Sequence, residues 1–208
     1  MTNTIQRFIL FLSVLSVSVL QASADPLVDL EQRLIGQSQL AGSFIQRQYI
    51  SGGGEPVLSS GRFKLLQPGY FAWEIQSPDS QLVIAGPQFI WHYDRDLETV
   101  TRRPVSGQPS LSPLQVLGGR QGALAANYTV SYGEQKGEFI LLPVTEDAGF
   151  DRLVLVFAGQ QILRLTFTDS LGQRVDVELN DLDYSTPLSA ADFHFSPPEG
   201  ADLFYHDQ

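Results

Sequence analysis

A chain of 208 residues, 43% apolar and 17% charged, is long enough for one sizeable core and too apolar to be disordered. Its 13 basic and 23 acidic residues give a formal net charge of −10, which argues against nucleic acid or anionic membrane as an electrostatic partner. It has no cysteine, which excludes disulfide frameworks, Cys zinc sites, iron–sulfur clusters and thiol nucleophiles.

Residues 1–24 read as a secretory signal peptide. Arg7 supplies the positive end, Phe8 to Leu20 carry no charge, and Ala22-Ser23-Ala24 predicts cleavage after Ala24. The apolar run is shorter than the ~20 residues that span a bilayer. Removing 24 of the 208 residues leaves a mature chain of 184, and losing Arg7 takes its net charge from −10 to −11. The mature protein is expected to be exported, soluble and a single domain over residues 25–208.

Asp25-Pro26 supplies a side-chain cap followed by proline in the first turn, which starts a helix. Leu27, Leu30 and Leu34 follow at one-face helical spacing. Beyond Gly36 the period changes to two. Six strands are predicted at Phe44–Ile50, Val57–Leu66, Tyr70–Gln76, Leu82–Ala85, Phe89–Tyr93 and Glu98–Arg103. Gly52-Gly53-Gly54, Gln67-Pro68-Gly69 and Ser77-Pro78-Asp79 supply turns between them. The segment from Pro104 to Ala126 is rich in Gly, Pro, Ser and Ala and does not alternate. Ser112-Pro113 starts a short helix there that Gly118 ends, and a second runs from Gln121 to Ala126. Five strands follow at Tyr128–Tyr132, Phe139–Leu142, Leu153–Phe157, Ile162–Thr168 and Arg174–Asp183. About eleven short strands at regular spacing predict an antiparallel sandwich or barrel.

Several strands are apolar on both faces. Tyr70 to Ile75 carries Phe71, Trp73 and Ile75 on one side and Tyr70, Ala72 and Glu74 on the other, and Leu153 to Phe157 has no polar residue. A sheet with one wet face alternates cleanly, so something covers the second face. Either a helix packs there or the face lines a cavity with a partial lid. The small amount of helix favours a curled sheet whose helices plug its mouth.

Catalytic signatures do not appear. His92, His194 and His206 are not in metal-ligand spacing, and His92-Tyr93-Asp94-Arg95-Asp96 reads as a hairpin turn. There is no nucleophile elbow or phosphate loop. The residues lean toward a binding protein that is not an enzyme and needs no cofactor or metal.

Three stretches resemble the outer-membrane lipoprotein carrier family, LolA. They are Gly61-Arg62-Phe63-Lys64-Leu65-Leu66-Gln67-Pro68-Gly69-Tyr70-Phe71-Ala72-Trp73, the hairpin Trp91-His92-Tyr93-Asp94-Arg95-Asp96-Leu97-Glu98-Thr99-Val100, and Ala191-Asp192-Phe193-His194-Phe195-Ser196-Pro197-Pro198-Glu199-Gly200. Order and spacing agree from Leu27 to about Gly200.

The resemblance implies an incomplete, unclosed antiparallel β-barrel with a short-helix lid over an apolar cavity. It implies a periplasmic chaperone that takes acylated lipoproteins from an inner-membrane ABC transporter and delivers them to an outer-membrane acceptor lipoprotein. The alternative is a lipid- or lipoprotein-sensing or carrying paralogue on the same barrel with a different cargo. A monomer is the simplest expectation.

Cavity candidates are Phe63, Leu65, Phe71, Trp73, Ile75, Trp91, Leu155, Phe157, Leu165 and Phe167. Lid candidates are Leu27, Leu30, Leu34, Leu114, Leu117 and Leu124. The resemblance carries a role in handing cargo on to Phe71. Gln67 stands where the family commonly has an arginine that hydrogen-bonds lid backbone. Glutamine has no charge and lacks arginine's fork, so closure is expected to be weaker or to draw on Arg62 or Arg120.

Overall fold

The computed structural model describes residues 25–105, 116–118, 122–145 and 150–206. A helix, α1 (Pro26–Ile35), opens this part of the chain. The Asp25 carboxylate accepts a hydrogen bond from the Leu27 N–H at 2.9 Å, so the predicted cap forms, and Leu30 and Leu34 face inward.

Six strands follow: β1 (Gln39–Tyr49), β2 (Val57–Leu66), β3 (Tyr70–Ser77), β4 (Gln81–Ala85), β5 (Phe89–Asp94) and β6 (Thr99–Pro104). A short helix, α2 (Ala123–Asn127), leads into β7 (Tyr128–Tyr132), β8 (Glu138–Pro143), β9 (Arg152–Ala158), β10 (Gln161–Thr168), β11 (Arg174–Asp183) and β12 (Asp202–Tyr205).

All twelve form one sheet in the order β12-β6-β5-β4-β3-β2-β1-β11-β10-β9-β8-β7. β7 and β12 end the order and pair on one side only, so the sheet is curled but unclosed. Every pair is antiparallel except β12 with β6, which is parallel. The eleven expected strands are present. The twelfth has four residues, all exposed, and no alternation to announce it.

β1 starts five residues earlier than its hydropathy predicts. Gln39 to Ser43 are mostly polar or small, but β2 and β11 flank them and supply ladder partners on both sides. Gly61 sits at the β2–β3 register shift, where a Cβ would lie 1.8 Å from the Glu74 carbonyl oxygen. The Gly52-Gly53-Gly54 turn has all three φ angles positive, which side chains rarely adopt. At the β5–β6 hairpin the Asp94 carboxylate accepts from the N–H groups of Asp96 and Leu97 at 3.1 and 3.0 Å, so it builds the turn.

Alternation sorts each strand into an inner and an outer face. The inner set forms the core: Phe44 from β1, Phe63 and Leu65 from β2, Phe71 and Trp73 from β3, Phe139 and Leu141 from β8, Leu153, Leu155 and Phe157 from β9. On the outer face the C-terminal segment lies over part of β3 and β5. There Phe193 packs on Tyr70, and Phe195 packs on Trp91 and Tyr93.

Candidate functional site

The inner face supplies a continuous apolar wall. Phe44 stacks on Trp73 with ring centroids 3.6 Å apart, and Phe63 and Phe71 each lie 5.9 Å from Trp73. On the opposite wall Phe139 meets Phe157 edge-on at 5.8 Å. Leu30 and Leu34 from α1, Leu117, and Leu124 from α2 complete this cluster. Each of these four leucines is 7% exposed or less, so all four are packed against the wall. Tyr128 sits beside Phe150 at its edge, and burial pushes its phenol up to about 12.

Of the cavity candidates, Phe63, Leu65, Phe71, Trp73, Leu155, Phe157 and Leu165 belong to this cluster, and Ile75 and Phe167 pack against it. Trp91 does not. In β5 the inward residues are Ile90 and His92, which pair with Ala85 and Val83 of β4. Trp91 therefore points outward, with Phe195 at 5.5 Å and the Arg102 guanidinium 5.5 Å from its ring. Among the lid candidates, Leu30, Leu34, Leu117 and Leu124 are in the cluster and Leu27 packs against it, while Leu114 lies outside the described residues. Sequence reading missed Phe44 and Phe139, although each sits on an alternating run (Leu40 to Phe44, Phe139 to Leu141).

The mouth is the sheet end that holds the β2–β3 and β9–β10 turns. Here Gln67 reaches the lid. Its side-chain nitrogen donates to the Leu34 carbonyl at 2.9 Å and to the Leu117 carbonyl at 3.1 Å. One amide thus ties both lid pieces to the β2–β3 turn. Backbone bonds reinforce it: Gln67 N–H donates to Ser38 at 2.7 Å, and Gly69 N–H to Gly118 at 2.9 Å. Arg62 is not at the mouth. It pairs with Ser43 and Glu74 along the outer face of β2, and Arg120 lies outside the described residues.

Two open grooves of about 620 and 330 Å³ lie on the outer face. Charged residues rim both: Arg62, Lys64, Glu74, Arg95 and Asp192 at the first, Glu138, Arg152, Arg164 and Arg174 at the second. Both grooves thus mix charged and apolar side chains, whereas the wall beneath α1 is apolar throughout.

Comparison with known proteins finds relatives over most of the chain. Residues 36–196 match the family model described as outer membrane lipoprotein carrier protein LolA. The chain is 34% identical over 160 residues to the outer-membrane lipoprotein carrier protein of Chromohalobacter salexigens, covering 76% of each chain. It is 31% identical over 199 residues to that of Azotobacter vinelandii, covering 94% of this chain and 96% of the relative. Among solved structures, an uncharacterized conserved protein of Thermus thermophilus superposes with a TM-score of 0.52 at 13% identity, covering 86% of this chain and 97% of the other. A LolA superfamily protein of Nitrosomonas europaea gives 0.51 at 10% identity, covering 83% and 99%. At such identities these two share the fold.

Proposed function

The chain belongs to the outer-membrane lipoprotein carrier family, and from that premise we propose how its lidded apolar wall does the work. The protein is a periplasmic lipoprotein carrier of the chaperone type. We propose that residues 1–24 are cleaved after Ala24 on export. The mature domain then receives acylated lipoproteins from an inner-membrane ABC transporter and hands them to an outer-membrane acceptor lipoprotein.

One observation supports the mechanism: four leucines of the lid are buried against the same apolar wall that we assign to cargo. Burying a leucine side chain contributes about 1.5–3 kcal/mol, so Leu30, Leu34, Leu117 and Leu124 together contribute about 6–12 kcal/mol. A ~16-carbon acyl chain gains about 12 kcal/mol on leaving water, at about 0.8 kcal/mol per CH₂. One acyl chain and the lid are therefore comparable competitors for one surface. An acyl chain lies against Phe63, Leu65, Phe71 and Trp73 on one wall and Leu155, Phe157 and Leu165 on the other, and the leucines give way. On delivery the lid falls back and keeps the empty wall out of water. For a single chain the near balance makes loading reversible; each added chain tips it toward the cargo, so delivery depends on a stronger acceptor. Phe71, 4% exposed beside Trp73, is the wall residue assigned to hand-over.

The test adds purified mature protein to proteoliposomes that hold the transporter and a labelled lipoprotein. ATP-dependent release of a soluble one-to-one complex is expected, with Phe71→Leu still loading but delivering less to the acceptor. A folded protein that binds an apolar fluorescent probe yet releases no lipoprotein would overturn the reading in favour of a different lipid cargo.

A further inference from the structure

Gln67 holds only one flank of α1. The other flank carries a second set of contacts, built around Arg33. Its Nε and Nη2 pair with the Asp29 carboxylate one turn earlier, at 2.9 and 3.4 Å. Its Nη1 donates to the Gly159 carbonyl in the β9–β10 turn. The guanidinium lies 5.3 Å from the Phe139 ring centroid and 5.7 Å from that of Phe157, two rings of the cavity wall. Its side chain is only 20% exposed. Beside it Gln37, 2% exposed, donates from Nε2 to the Gln160 carbonyl at 2.6 Å. On the edge strand Tyr132 donates its hydroxyl to Asp29 at 3.3 Å. Every one of these partners outside the lid belongs to β7–β10 or their turns.

We propose that Arg33 is the positioning residue of the lid, a clasp that keeps α1 attached to the β9–β10 turn while the Gln67 side lets go. This rests on the carrier reading above and adds a direction to lid movement. The asymmetry follows from the donors. Gln67 offers a neutral amide with one bond to α1, at Leu34, its other going to Leu117, while the far flank holds α1 through both Arg33 and Gln37. Arg33 offers a charged, planar donor with a carboxylate to orient it and two ring faces beneath it, and a charged donor makes roughly twice as strong a bond. The weaker flank opens first. α1 then swings about its Arg33–Gln37 side, and the mouth opens along β2–β3, next to Phe71 and Trp73. The arginine expected on the barrel at position 67 is thus replaced in effect by one on the lid that reaches the opposite rim.

Two measurements test this. Native-state hydrogen exchange needs no cargo. Arg33→Ala should speed exchange of the α1 amides by about 10- to 100-fold, the range for a bond from a charged donor, while the β9 and β2 amides stay unchanged. Arg33→Lys keeps the charge but loses the fork and the stacking, and should restore only part of the protection. Unchanged α1 exchange, or a loss spread evenly over the sheet, would overturn the clasp. For direction, the chain has no cysteine, so paired spin labels can be placed at will. Labels at Gln32 and Lys136 span the clasp side, and labels at Gln32 and Gln88 span the other. Binding of a tripalmitoylated peptide should lengthen the second distance and leave the first in place, and Arg33→Ala should release both. Lengthening of the first alone, or a bound peptide that moves neither, would overturn the hinge. If the peptide does not bind at all, the carrier reading falls, and the exchange result still decides the clasp.

Discussion

Removing the Gln67 latch should loosen the lid without springing it. Gln67→Ala deletes two hydrogen bonds, to Leu34 and Leu117, that span 2.9 and 3.1 Å. A net contribution of about 1 kcal/mol each makes the change about 2 kcal/mol, or roughly a 30-fold rise in the open population. The four lid leucines contribute about 6–12 kcal/mol against that and remain in place. The variant should thus stay folded and mostly closed, with α1 amides exchanging about 30-fold faster and an apolar fluorescent probe taken up faster in proportion. Gln67→Glu sharpens the test. An ionised carboxylate has the same shape but no donor, and it faces two carbonyl oxygens, so it should open the lid further than alanine does. The measurement is hydrogen exchange on the intact mature chain together with stopped-flow probe uptake. Equal α1 protection in the wild type, Gln67→Ala and Gln67→Glu would refute the latch. So would a loss of protection in β2 and β9 of the same size as in α1, which would mean that the whole barrel had been weakened.

Two further outcomes follow from residues away from the lid. Trp91→Ala should free the C-terminal segment, because the ring contacts Phe195 at 5.5 Å and Tyr205 at 6.5 Å. Limited proteolysis should then cut near residues 195–205, with a stability loss of about 2 kcal/mol, while probe uptake under the lid stays as in the wild type. Desolvation, the main cause, with Arg103 assisting and Asp94 opposing, holds the His92 imidazole below its ordinary 6.5. The unfolded chain binds this proton more readily than the folded one. His92 therefore subtracts nothing above 6.5 and costs stability as pH falls through 6.5 toward its folded value. Urea midpoints at about pH 7.5 and about pH 5.5 should differ less in His92→Gln than in the wild type.

The strands were legible because period-two alternation is a local signal, and so was α1, whose Asp25 cap and leucine spacing are local too. Which face of a strand looks inward is not local. β5 is apolar at Phe89, Ile90, Trp91 and Tyr93, so hydropathy cannot choose a side. The pairing of His92 with Val83 chooses it and sends Trp91 out. β12 escaped notice because a parallel partner far away in sequence, and not its own pattern, makes it a strand. Gln67 drew attention only through the family resemblance, as a departure that should weaken closure, yet its neutral amide reaches both lid carbonyls. Arg33 gave no signal at all: with Asp29 four residues earlier it reads as an ordinary helix-surface ion pair. Only the arrival of Gly159, from 126 residues along the chain, makes it part of the mouth.

The gap between β7 and β12 has a consequence for cargo size. A closed barrel has a girth set by its strand number, because widening it means breaking a row of backbone hydrogen bonds. Here no ladder among the described residues joins the two end strands. The girth can grow along that seam while every existing strand pair stays intact. A vessel built this way has no fixed calibre, so the cargo proposed above could bear two chains or three without a different protein, only a wider setting of the same one.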